Sequence, residues 1–306
     1  MRLLKLLVSL ALLGGLGWVL DVPAMLTQLR QVRPEWVLVA CLAVLFGQLL
    51  SAWRWTWLVR GLGLRASLSD LVQYYFLGMF LSLFLPSIIG GDVARGYLLA
   101  RQARDATWSA VASVVLERLN GMLGLVTVAS TAMVLLDVPL PWLGGWWFGV
   151  TAAWLVMLSQ PWWWPRLARA RLPAWLAGWQ KLPLHSSAVQ RAWWLALPVS
   201  CVFQMLIVLA HVALGQAVGL ELSLPAYTVM VCLVALASAL PISFNGLGVR
   251  EAGYVGLAVY FGGNAEAAAA MAALWLLVLV VVALPGYVVL WRLGGVQGLR
   301  AATRAS

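Results

Sequence analysis

Residues 85–97 read LPSIIGGDVARGY, and residues 240–254 read LPISFNGLGVREAGY. Each stretch begins Leu-Pro and passes through a glycine-containing break. Each reaches an arginine nine residues after its proline, Pro86 to Arg95 and Pro241 to Arg250. Both lie in otherwise apolar sequence, about half a chain apart. Broken apolar segments at corresponding positions of two halves are the best sequence pointer to the binding site of a transporter. Proline and glycine interrupt a helix inside a membrane only where the freed backbone groups line a cavity or are buried in protein. These two stretches therefore set the expected fold: an all-α, polytopic membrane protein with two broken or re-entrant regions and an inverted repeat.

Composition agrees. Of the 306 residues, 63% are hydrophobic and only 10% are charged, with a mean hydropathy of +0.93. A soluble domain carries roughly 25% charged residues. The chain is accordingly read as one membrane domain, 1–306. Its repeat-like halves span about 36–136 and 192–291, joined by an interfacial segment at 160–191. No GxxxxGK[ST] motif occurs, so the sequence offers no phosphate-binding loop for ATP-driven transport.

A bilayer core of ~30 Å requires ~20 helical residues. Six full spans are expected, at about 3–20, 36–58, 107–136, 142–159, 192–219 and 267–291. The first follows Arg2 and Lys5 and lacks a small-residue cleavage site, so it is read as a retained span. Regions 70–104 and 225–262 are apolar but interrupted, either as re-entrant hairpins or as pairs of tilted, broken helices.

The formal net charge is +10, and its distribution argues for membrane orientation rather than nucleic acid. Arginine and lysine gather at the N-terminus, in 59–70, 95–105 and 160–191, and after residue 291. The positive-inside rule makes all of these cytoplasmic, both termini included. Connections bearing Asp137, Glu221 and Glu266, and the mixed Asp21/Arg30/Arg33/Glu35 segment, face outward. Region 70–104 then enters and leaves on the cytoplasmic side, and region 225–262 on the outer side. Trp162, Trp163, Trp164, Trp175 and Trp179 suit a connector lying in the interface. Trp142, Trp146 and Trp147 read as an outer aromatic belt.

A charge within the bilayer requires a partner or water. Glu117 lies about ten residues into its span, or ~15 Å of helix rise. Arg118 is its neighbour, ~100° away around the helix, so each is expected to pair with a different segment. Asp92, after Gly90 and Gly91, is placed to cap a new helix, with Arg95 one turn later. The glycines allow close backbone approach, and free N–H groups at a helix start bind anions. Asn245, Gly246 and Gly248, ahead of Arg250 and Glu251, offer the same arrangement in the second half. Asp92, Arg95, Glu117, Arg118, Arg250 and Glu251 are the candidates for headgroup binding or coupling. Arg54 is read as snorkelling from the cytoplasmic end of its span. His185 and His211 are isolated, without metal-ligand spacing. Cys41, Cys201 and Cys232 read as small core residues. No nucleophile, metal or cofactor pattern is present.

The strings RW..LV.GLGL (54–64), FLGMFLSLFLPSIIGGDVARGYLL (76–99), SVVLERLNGMLGL (113–125) and LPISFNGLGVREAGYVGL (240–257) resemble the membrane region of bacterial lysylphosphatidylglycerol synthases. They also resemble the stand-alone flippase-like proteins that share it, hopanoid-associated and archaeal glycosylation-associated members included. GGD..R together with GLGVRE is the specific part, and the likeness covers nearly the whole chain. It implies a lipid flippase fold, with broken helices around a central cavity lined by the six candidates above. It also implies a bacterial cytoplasmic membrane and a phosphate-bearing phospholipid, aminoacylated lipid or polyprenyl-linked lipid as partner. No aminoacyl-transferase region follows the last span, so the chain is expected not to be an enzyme. The alternative function is a non-transporting scaffold or accessory subunit of a lipid-modifying enzyme. Asn245 stands where the first motif would suggest a glycine.

Overall fold

The computed structural model describes residues 2–84, 89–103, 106–136, 143–159, 166, 177–180, 182–240, 243 and 246–294. Pro86, Pro241 and Asn245 lie outside the described residues, as do Trp142, Trp162, Trp163, Trp164 and Trp175. All regular structure among those described is helical: α1 (Arg2–Val19), α2 (Val22–Arg30), α3 (Pro34–Gly61), α4 (Leu68–Phe84), α5 (Ile89–Gln102), α6 (Thr107–Val134), α7 (Leu143–Leu158), a single turn α8 (Ala177–Gln180), α9 (Ser187–Val218), α10 (Leu224–Ala239), α11 (Val249–Tyr260) and α12 (Ala265–Arg292).

Helices α3, α6, α9 and α12 are long and apolar enough to cross a membrane. The other two expected spans are shorter. α1 has 18 residues and α7 has 16, or ~24 Å of rise for α7. α2 was not expected. Asp21 caps it, accepting from Ala24 N–H at 3.0 Å, and Pro23 fits its first turn. Elsewhere the helix ends follow local chemistry. Ser223 and Asn264 cap α10 and α12, and Gly219 ends α9 in the left-handed conformation, φ 74°.

α3 and α9 form an antiparallel pair. Gly61 sits against Ala188 and Val189. At the other end, Arg33 N–H donates to the Ala217 carbonyl at 3.3 Å, and its guanidinium donates to the Gln216 carbonyl. The two broken regions are hairpins on this frame. α4 and α5 close at their free ends, where Gln102 donates to Asp70 at 3.0 Å and accepts from the Tyr74 hydroxyl at 3.2 Å. α10 and α11 close likewise, with Gly263 against Leu220 and Leu222. The first hairpin follows Gly61 and the second follows Val218, so they open at opposite ends of the α3–α9 pair. Each broken region is thus a pair of packed helices, and the two pairs attach at opposite ends of the α3–α9 pair.

Large apolar side chains face outward along the long helices, among them Leu38, Leu42 and Phe46 of α3 and Leu277, Val281 and Leu284 of α12. A water-soluble protein rarely exposes contiguous apolar surface of this kind. The chain is an integral membrane protein.

The first hairpin is closed by backbone contact. A Cβ on Gly91 would lie 2.1 Å from the Gly78 carbonyl oxygen and 2.2 Å from Ser82 Oγ. Small residues at such crossings let helices approach within a membrane. Gly91→Ala is therefore expected to lower stability by about 1–3 kcal/mol, read as a fall in the thermal midpoint of the purified protein. An unchanged midpoint would mean that α4 and α5 are free to separate.

Candidate functional site

The elements converge on a cavity of about 420 Å³, within the usual range for ligand pockets. Its lining includes Arg54, Asp92, Arg95, Glu117, Arg118 and Arg250. Five of the six sequence candidates thus border one space. The sixth, Glu251, stands behind Arg250, accepting from its Nε at 3.1 Å and its Nη2 at 3.0 Å.

Glu117 and Arg118 are adjacent on α6, and the helical turn sends them to different partners. Glu117 Oε1 accepts from Arg54 of α3, and Oε2 accepts from Arg95 Nη2 of α5 at 2.6 Å. The Tyr75 hydroxyl lies 3.4 Å from Oε1. Arg118 donates to Asp92 through both Nε (2.8 Å) and Nη2 (2.7 Å), a bidentate fork that fixes orientation as well as charge. Asp92 Oδ1 also lies 3.0 Å from Arg95 Nη2. The result is an alternating series, Arg54–Glu117–Arg95–Asp92–Arg118, drawn from α3, α5 and α6.

Exposure divides the series. The side chains of Arg54, Arg95 and Glu117 are 2–3% exposed, whereas Asp92 is 15% and Arg118 51% exposed. The inner part is sealed. The Arg95 guanidinium lies 5.1 Å from the Trp55 ring centroid and 4.8 Å from that of Tyr75, and its Nε and Nη1 are buried without an oxygen partner. Cation–π attraction replaces part of that lost hydration. Arg54 is anchored further by Ser200 of α9. The Ser200 hydroxyl donates to Asn120 at 2.5 Å, and Asn120 donates to the Trp193 carbonyl at 3.0 Å. Sequence reading placed Arg54 at the membrane surface. α3 instead runs on to Gly61, which draws Arg54 into the bundle beside Glu117.

Asp92 is not a helix cap. α5 begins at Ile89, so Gly90 and Gly91 lie in its first turn, and the Asp92 carboxylate turns to Arg118 and Arg95. In the second motif the glycines do form the break. Gly246 and Gly248 have φ of 78° and 83°, a region open to glycine at little cost. Glu251 accepts from Gly248 N–H at 2.7 Å, which fixes the start of α11 and presents Arg250 to the cavity.

The remaining wall is mostly apolar, with Met79, Leu83, Phe203 and Leu236, and is interrupted by Gln48, Ser82, Gln204 and Ser238. Behind it His211 holds Tyr254 at 2.7 Å and the Ile207 carbonyl at 2.8 Å, joining α9 to α11. No group of histidine, cysteine, aspartate or glutamate suited to a metal ion occurs among the described residues, and all three cysteines are free.

Residues 2–286 match the family model described as the lysylphosphatidylglycerol synthase TM region. No curated protein sequence matches the chain.

Proposed function

The chain belongs to the lysylphosphatidylglycerol synthase TM-region family, and from that premise and its cavity we propose that it is a lipid translocase. It moves a phosphate-bearing lipid across the bacterial cytoplasmic membrane. The observation that carries this reading is the cavity itself, which sets six charged side chains into a mostly apolar lining and is walled by both hairpins. Arg118 and Arg250 are its accessible arginines and take the phosphate, because a guanidinium fork matches phosphate oxygens. Arg95 and Arg54 hold the shape of the site from behind. The lipid tails lie along Met79, Leu83, Phe203 and Leu236, next to the bilayer.

The two hairpins open at opposite ends, which suits alternating access by rocking of the halves 36–136 and 192–291 around a fixed site. The basic end, with Arg60, Arg65, Arg101 and Arg191, faces the cytoplasm. The membrane scaffold and the accessory subunit of a lipid-modifying enzyme are the rival readings, and neither requires a cavity that joins charge to an apolar wall.

The purified protein in liposomes, without any other protein, is expected to accelerate leaflet exchange of tail-labelled phosphatidylglycerol. Exchange no faster than in empty liposomes, with the protein folded and inserted, would reject the translocase in favour of a scaffold.

A further inference from the structure

The series Arg54–Glu117–Arg95–Asp92–Arg118 sets three arginines against two carboxylates in one contiguous network. Across the cavity, Arg250 and Glu251 neutralise one another. Among the described residues, the site therefore carries one positive charge in excess. Arg118 at its outer end is half exposed, but the inner part of the network is sealed from solvent. Arg54 and Arg95 are sealed and share the carboxylate of Glu117, Arg95 also reaching Asp92 at 3.0 Å, and between them they keep three buried nitrogens without an oxygen partner: Arg54 Nε and Arg95 Nε and Nη1. An uncompensated charge in apolar surroundings is costly and is held only with a counter-charge close by.

We propose that the missing counter-charge is the ligand's, and that the site selects a lipid headgroup with a single negative charge: a phosphodiester bearing no cation of its own. This rests on the translocase reading and narrows its substrate class. A phosphodiester supplies one charge and closes the balance. A zwitterionic headgroup brings its own cation and leaves the excess in place. A terminal phosphomonoester carries about −1.5 to −2 at neutral pH and overshoots. The docking point is the Arg118 fork. Asp92 occupies it through two oxygens, and two phosphate oxygens present the same spacing and charge. Asp92 is an internal stand-in that yields to the headgroup and falls back when the site empties.

The test uses tail-labelled phosphatidylglycerol, phosphatidylethanolamine and phosphatidic acid with identical acyl chains. Leaflet exchange is measured in liposomes and equilibrium binding in nanodiscs. The wild-type protein is expected to prefer phosphatidylglycerol by roughly tenfold or more over both others. Asp92→Asn raises the excess to two charges, so phosphatidic acid should overtake phosphatidylglycerol. Arg118→Gln removes the excess, so phosphatidylethanolamine should draw level. Arg118 is half exposed, so this second variant keeps the test decisive if Asp92→Asn misfolds. Equal exchange of all three lipids by wild type would overturn the charge rule and leave the translocase standing. Preferential binding of phosphatidylglycerol without exchange would leave the charge rule standing and end the translocase. Neither exchange nor preference would end both.

Discussion

Glu117→Gln is expected to cost about 3–5 kcal/mol of folding stability, the range for breaking a buried ion pair by removing one partner. The substitution is nearly isosteric, so packing is retained. The loss comes from Arg54 and Arg95, which share this carboxylate and are almost wholly sealed from solvent. With the carboxylate gone, Asp92 is the last acid in the network and already serves Arg118. Thermal unfolding of the purified protein, followed by the loss of its monodisperse fraction, reads this directly. A midpoint equal to that of wild type would show that the shared carboxylate does not hold the bundle together. Any transport lost in this variant is then a consequence of a damaged fold, which sets it apart from the next.

Arg118→Gln is expected to leave folding stability within about 1 kcal/mol of wild type, with little change in thermal midpoint, while lowering phosphatidylglycerol exchange roughly tenfold or more. Its side chain is half exposed, and exposed ion pairs contribute about 0–1 kcal/mol. Its value lies in the fork it presents to the cavity. Arg118→Lys should rescue little, because an ammonium offers a point charge rather than two parallel donors. If Arg118 and Arg250 hold one phosphate, the double variant Arg118→Gln/Arg250→Gln should lose less than the sum of the single losses. Exchange that falls only in step with the midpoint would assign Arg118 to the fold instead.

Much of this was legible in the sequence, and the parts that were not share a cause. Long apolar runs mark α3, α6, α9 and α12, and the Pro/Gly breaks mark where the two hairpins lie. Charge within an apolar run marks Glu117 and Arg118, and the helical turn between them predicts separate partners. Arg54 was misjudged because its depth depends on where α3 ends. Three further residues, to Gly61, shift it by ~4.5 Å, and its partner lies 63 residues away. Asp92 was misjudged because Gly-Gly-Asp has the local pattern of a helix cap, whereas two arginines outcompete the backbone for its oxygens. Asn120, Ser200 and Tyr75 carry no charge and sit at ordinary positions in apolar helices. Only the assembled bundle shows that they brace the site. α2 did leave a signal, Asp21-Val22-Pro23, which is an N-cap followed by a first-turn proline.

The shared carboxylate also imposes an order on biogenesis. Arg54 precedes Glu117 by 63 residues and Arg95 precedes it by 22, so a chain made from its N-terminus delivers both cations to the membrane before their anion. Until α6 is synthesised, Asp92 is the one acid of this network already in place. Arg54 must meanwhile stay near the headgroups, with α3 seated shallowly, and the α4–α5 hairpin must wait at the interface. The arrival of α6 draws both inward in a single step. A nascent chain stalled before Thr107 would therefore be an early client for membrane quality control, because its arginines have no place to settle.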